Sequence, residues 1–185
     1  PTTKTEYVLE VEGENGCTAT DTMTVFITEM PEDTARSSLD FVVNNGQIID
    51  TDGAPRPDIG IYSHQASPMV YCGDNRVSFV HSKIDTVAAT PDTLARVDIN
   101  FHQTYREAAP LGMGKNSHHY NYYYAHCPEG VTLTPSYERV VFPELYEKTD
   151  LHIKGNNNWM KFEFVVHPGG NPEDILMTFE GAENV

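Results

Sequence analysis

From Leu39 onward the chain alternates short apolar runs with rigid turn chemistry, and this two-residue rhythm restricts the fold more than any other feature. Candidate strands recur at Leu39–Val43, Val77–His81, Ala95–His102, Tyr120–Tyr124, Arg139–Phe142, Leu151–Lys154, Met160–Val166 and Ile175–Phe179. In a strand successive side chains point to opposite faces, so Val97, Ile99 and Phe101 fall on one side while Asp98, Asn100 and His102 fall on the other. Phe162, Phe164 and Val166 oppose Lys161 and Glu163 in the same way. Gly53–Pro57, Pro110–Gly114 and Pro168–Pro172 read as the turns between strands. No long segment repeats apolar residues at helical spacing, and no internal period marks a propeller or solenoid. The pattern predicts an all-β fold, with a β-sandwich-like domain over residues 39–185.

Ahead of that domain, Tyr7–Val11 and Asp21–Ile27 alternate Tyr7/Leu9/Val11 and Met23/Val25/Ile27 around the turn formers Gly13, Asn15 and Gly16. Residues 1–28 are thus predicted to hold a β-hairpin. The polar, proline-containing stretch over 29–38 reads as a linker. Two strands alone are marginal in water, so the hairpin is expected to complete a sandwich begun upstream or to pack on the domain that follows.

A net charge of -15 argues against nucleic acid or an anionic membrane as partner, since both would be repelled. The absence of an apolar run of about 18 residues predicts no membrane insertion. The 39% hydrophobic content supplies a core. The chain opens on Pro1 without a basic and apolar leader, which suggests a piece of a longer secreted precursor. Its three cysteines, Cys17, Cys72 and Cys127, lack Cys-x-x-Cys spacing, which disfavours a zinc ribbon or a thioredoxin-type motif. A Cys72–Cys127 disulfide stays open on cysteine count and compartment. Cys17 would then be the odd thiol, its expected partner upstream of Pro1.

Several constellations merit chemical readings beside plainer ones. Asp50-Thr51-Asp52-Gly53 resembles the opening of a calcium loop, with Asp58 as a further oxygen donor, but position twelve is Ile61 where a closing glutamate is needed. The calcium site on Asp50, Asp52 and Asp58 stands beside the simpler reading of an acidic turn. No other cofactor is expected. Ser117–Cys127 (SHHYNYYYAHC) gathers three histidines, a thiol and four tyrosines, yet His118 and His119 fall on opposite faces of a strand. An aromatic ladder packing both sides of a sheet, with exposed histidines at its entrance, explains the stretch better. Tyr120, Tyr122, Tyr124 and Trp159 are the candidate ligand-binding platform, the chemistry being ring stacking on sugar.

Glu138, Glu144, Glu147, Asp150 and Glu163 are the carboxylates from which an acid/base pair for glycoside hydrolysis would be drawn, and nothing specifies their geometry. Ser67 and Ser78 lack a nucleophile-elbow frame. His167–Pro172 reads as a turn.

Two resemblances add context. Asn15-Gly16-Cys17-Thr18-Ala19-Thr20-Asp21-Thr22, followed by Met23-Thr24-Val25, resembles the last two strands of a PKD-type immunoglobulin-like domain. Such domains are spacers in surface proteins of bacteria that use type IX secretion, and the family's cysteine here commonly pairs with one earlier in the same domain. Phe41–Gln47, Asp50–Asp58, Tyr62-Ser63-His64, Asn121–Gly130, Tyr137–Val141 and Glu163–Ala182 together resemble the uncharacterised β-rich domain found ahead of SBBP-type β-propeller repeats in large secreted proteins of the same bacteria. The resemblance implies a module of cell-surface and gliding-associated proteins and carries no catalytic residues.

The expected function is accordingly that of a non-enzymatic, extracellular structural or adhesive module, with other domains or protein subunits as partners. Strand complementation by the first hairpin is the expected mode of assembly. The alternatives are a carbohydrate-binding module, with glycan as partner, and a secreted glycoside hydrolase.

Overall fold

The computed structural model describes residues 3–12, 18–27, 39–66, 68–83, 93–156 and 159–181. The chain divides into two compact units, Pro1–Arg36 and Ser37–Val185. In the first, β1 (Thr3–Glu12) and β2 (Thr18–Ile27) pair antiparallel with Tyr7 opposite Met23 and Thr5 opposite Val25, the hairpin anticipated from the alternation. Its turn, Cys17 and the linker expected over 29–38 lie outside the described residues.

The second unit is all-β. Its strands are β3 (Phe41–Val43), β4 (Ile59–Ser63), β5 (Met69–Gly73), β6 (Arg76–Lys83), β7 (Thr93–His102), β8 (Leu111–Tyr124), β9 (Cys127–Tyr146), β10 (Thr149–Asn156), β11 (Trp159–Val166) and β12 (Leu176–Glu180). Every pairing is antiparallel, and all ten strands belong to one sheet. Among the described residues the only helical element is a 3-10 turn, Pro172–Asp174, capped by Asn171, whose side chain accepts from the Glu173 amide.

The long strand β9 organises this sheet. Val140 pairs with Gly112 of β8 and with Ile153 of β10, whereas Tyr137 pairs with Lys115 of β8 and with Phe41 of β3. A strand has two edges, and β8 holds one of them in constant register over 137–141, so β10 and β3 both leave from the other. The sheet therefore forks at β9. One branch carries β10 and β11, and the other runs β3-β4-β5-β6-β7-β12.

The branches fold over a common core. Phe79 of β6 meets Phe162 of β11 with ring centroids 5.7 Å apart, and Phe101 of β7 lies 6.1 Å from Phe142 of β9 and 6.5 Å from Phe164 of β11. Leu39, Phe41, Val70, Cys72, Val77, Val140, Phe142, Leu145, Leu151 and Ile153 are fully buried. The sandwich-like packing thus comes from one curled sheet rather than from two separate ones.

Two expectations needed correction. The Pro110–Gly114 cluster is not a turn, because Leu111–Gly114 already belong to β8. Strands β4 and β5 were not anticipated. Their hairpin partner β6 follows a two-residue turn in which Asn75 takes the left-handed conformation at φ 51°, one that asparagine tolerates, and its side chain accepts the Ala108 amide at 3.0 Å.

Candidate functional site

Alternation gives the sheet a second, outward face. Phe41, Ile61, Val70, Cys72 and Val77 turn to the core, while Val42, Ile48, Ile59 and Tyr62 form a separate small cluster with half-buried Tyr71, Tyr120 and Tyr122 against it. The loop after β3 is pinned at this face. Asn44 donates to the carbonyls of Arg56 and Ile59 at 2.8 and 2.9 Å, and buried Gln47 donates to the Val43 carbonyl at 2.6 Å and to the Tyr62 hydroxyl at 3.1 Å. The tip of the β8–β9 hairpin joins it through His126 Nε2, 3.2 Å from the Gln47 carbonyl.

From His118 to the end of β8, and on to His126 in the turn, every second side chain is an aromatic ring. His118 meets Tyr120 edge-on at 5.6 Å, then Tyr120, Tyr122, Tyr124 and His126 follow at centroid spacings of 6.1, 5.9 and 5.4 Å with planes within 28° of each other. A ladder is present, but on one side of the strand where the sequence led to packing on both: Tyr123, on the opposite side, is 70% exposed, and Tyr124 45%. Tyr62, His64 and Tyr71 continue the aromatic surface: Tyr62 lies 4.5 Å from His64 and 6.3 Å from Tyr71.

At the His118 end the ladder is anchored by a carboxylate. Asp40 accepts from Asn116 at 2.9 Å, from the Tyr120 hydroxyl, and from His118 Nε2 at 2.5 Å. Gln65 donates to the Tyr120 hydroxyl at 2.9 Å. Burial, together with the Asp40 hydrogen bond and charge, pushes the Tyr120 phenol up to about 12, so it remains a donor across the physiological range. Fully buried Ser136 stands 3.3 Å from the same His118 nitrogen. Asp, His and Ser are therefore adjacent, but a serine–histidine–aspartate relay places its two partners on different ring nitrogens. Here both use Nε2, and the arrangement cannot pass a proton from Ser136 through the ring to Asp40.

The other anticipated sites fare differently. Asp50, Asp52 and Asp58 are not brought into one ligand set. The Asp50 side chain accepts the amides of Asp52 and Ala54 at 3.0 and 2.8 Å, closing its own turn. Asp58 is clamped by Arg56 and Arg76 at 2.6–2.8 Å, and these hydrogen bonds, Arg56 first, hold its carboxyl well below the usual range. Among the described residues no group of three or more His, Cys, Asp and Glu could hold a metal ion.

The Cys72–Cys127 bridge that the sequence left open is not formed. Cys72 faces the main core from β5, whereas Cys127 opens β9 opposite Tyr124 at the hairpin tip, and both thiols are free. Trp159 opens β11 opposite Asn156 and so belongs to the other branch of the sheet, and its side chain lies outside the described residues.

Three of the five carboxylates considered for hydrolysis are engaged by other side chains or amides. Glu163 binds Lys161 at 2.5 Å and Lys154 at 3.2 Å, Asp150 binds His167 at 2.9 Å and accepts the Glu144 amide at 2.7 Å, and Glu144 pairs with Arg106 at 3.2 Å. Ser78 is buried in β6 beside Arg96, and Ser67 lies outside the described residues.

Sequence reasoning missed Asp40, Gln65, Asn116, Ser136, Gln47 and Tyr71 as members of this face. Tyr71 was detectable as the middle of a Val-Tyr-Cys alternation. Asp40 bonds partners 76 to 80 residues away, which no local pattern displays.

A family model described as a domain of unknown function (DUF7948) matches residues 41–185. No curated protein and no solved structure matches the chain.

Proposed function

The chain belongs, through residues 41–185, to this family of β-rich domains, and from that premise we propose that it is a non-enzymatic structural and adhesive module of a bacterial cell-surface or filament assembly. The carrying observation is the outward ladder from Tyr120 to His126. Aromatic rings fixed side by side on a sheet offer contact area at little conformational cost, which suits recognition more than chemistry. The shared His118 nitrogen and the lysine- and arginine-paired Glu163 and Glu144 agree with a role in contact. The likeness to PKD-type spacers and to domains that precede SBBP-type propellers supports a secreted, extracellular setting tied to type IX secretion, with other domains or subunits as partners. Among the described residues no helix is long and apolar enough to cross a membrane.

The β1–β2 hairpin is a two-stranded sheet whose outer edges pair with no third strand among the described residues, and we take it to assemble by strand complementation. Light-scattering mass with and without residues 1–30 tests this: the intact chain is expected to self-associate and the shortened one to stay monomeric. Monomers in both cases would remove the idea.

A second reading, carbohydrate binding, is favoured by the near-parallel Tyr120, Tyr122 and Tyr124 rings. A glycan array reports it directly.

A further inference from the structure

Beside the ladder a shallow recess of about 250 Å³ opens between the hairpin tip and the β4–β5 strands, and we propose that it binds one ring of a neutral pyranose sugar. The inference rests on the reading of this face as a contact surface and names the ligand it takes.

Gln47, His64, Tyr71, Tyr124 and His126 line the recess together with Ile48 and Ile49. It joins two imidazole–phenol pairs of different geometry. Tyr124 and His126 lie 5.4 Å apart with 15° between their planes, while His64 and Tyr71 meet edge-on at 5.5 Å, with His64 Nε2 and the Tyr71 hydroxyl 3.1 Å apart. Aromatic faces accept the C–H side of a pyranose, and phenol and imidazole nitrogens exchange hydrogen bonds with its hydroxyls.

Charge and size narrow the class. Among the described residues no aspartate, glutamate, lysine or arginine lines the recess, burial favours neutral His64, and the net charge of -15 turns anions away. Its volume falls short of the several hundred Å³ of drug-sized sites, which suits a single ring. A ligand of that size binds weakly, with a dissociation constant on the order of 1 mM. The site uses Tyr124 from the anticipated platform and adds Tyr71, His64 and His126.

The test is a titration of the full chain, followed by two-dimensional amide NMR, with the methyl pyranosides of glucose, galactose and mannose, with N-acetylglucosamine, and with glucuronate as the charged control. A neutral sugar is expected to shift resonances around the recess with a dissociation constant on the order of 1 mM. Tyr124→Ala, at an exposed position, should weaken it about tenfold or more. Tyr71→Phe, which keeps the ring and the fold, should weaken it measurably through the lost hydroxyl. No shift with any neutral sugar, equal or tighter binding of glucuronate, or binding indifferent to both substitutions overturns the proposal. If the sugars fail while the chain still adheres to intact bacteria, this inference falls and the contact role stands. Release of methanol from a pyranoside would overturn both.

Discussion

Tyr120 donates its phenolic hydrogen to Asp40 across 80 residues of sequence, and this bond ties the aromatic ladder of β8 to the residue just ahead of β3. Because Asp40 also accepts from Asn116 and His118, loss of one donor leaves the carboxylate partly satisfied. Tyr120→Phe is therefore expected to cost about 1–2 kcal/mol in urea denaturation. A double-mutant cycle with Asp40→Ala should return a coupling of about 1 kcal/mol, whereas strictly additive losses would show that the bond contributes nothing.

Stability should decline on the alkaline side. Burial raises the Cys72 thiol from 9.0 to about 12, and Tyr120 rises from 10.0 to about 12 for the causes given above. In both groups the folded state holds its proton more tightly than the unfolded chain. Their contribution is full below about pH 9 and is lost as pH climbs toward 12. Denaturation midpoints measured from pH 8 to 12 should fall through that window, and less steeply in Tyr120→Phe. A flat profile would contradict the burial of these groups.

Thiol reactivity separates the two described cysteines. Cys127 is partly exposed and should alkylate in the native chain, while Cys72, fully buried with a raised pKa, should react only on unfolding. Peptide mass mapping after iodoacetamide treatment gives the order. Thermal midpoints should not change on adding reductant, and a reductant-sensitive midpoint with linked Cys72 and Cys127 peptides would restore the bridge.

One glycine carries a packing constraint. A Cβ on Gly112 would come within 2.2–2.6 Å of the Tyr137 ring, which covers the glycine from the neighbouring strand. Gly112→Ala must displace that ring and should destabilise by about 1–3 kcal/mol. Gly46 offers the contrast in space, since nothing among the described residues lies within 4 Å of its Cβ position. Its φ of 106° still penalises Gly46→Ala through the backbone, so the two variants separate collision from strain. Gly112→Ala alone should move the Tyr137 ring resonances.

How far the sequence could be read depended on which physical signal each element carries. Strands such as β7 and β11, buried on one face, showed their alternation openly in Ile99/Phe101 and Phe162/Phe164. The first half of β8 did not. It is an edge strand exposed over Leu111 and Met113, so Gly112, Gly114 and Pro110 looked like turn formers where Gly112 makes room for a ring. Strand β9 carries Pro128, Gly130 and Pro135, and Pro135 sits opposite His119 beside a register shift, where its missing amide is tolerated. The tyrosine ladder was legible because it lies within one strand. Its anchor at Asp40 and the placement of Tyr71 and His64 beside it were not, since the sheet's path through β3, β4 and β5 brings them together and local spacing does not encode that path.

Binding of the intact chain to whole bacteria and to their isolated surface polysaccharides, compared with the Tyr122→Ser/Tyr124→Ser variant, tests the contact role of the β8 face most directly. The wild-type chain should be retained, the variant should lose most of that retention while keeping its fold by circular dichroism, and no cleaved product should appear. Equal retention by both chains, or release of shortened polysaccharide, would contradict the account.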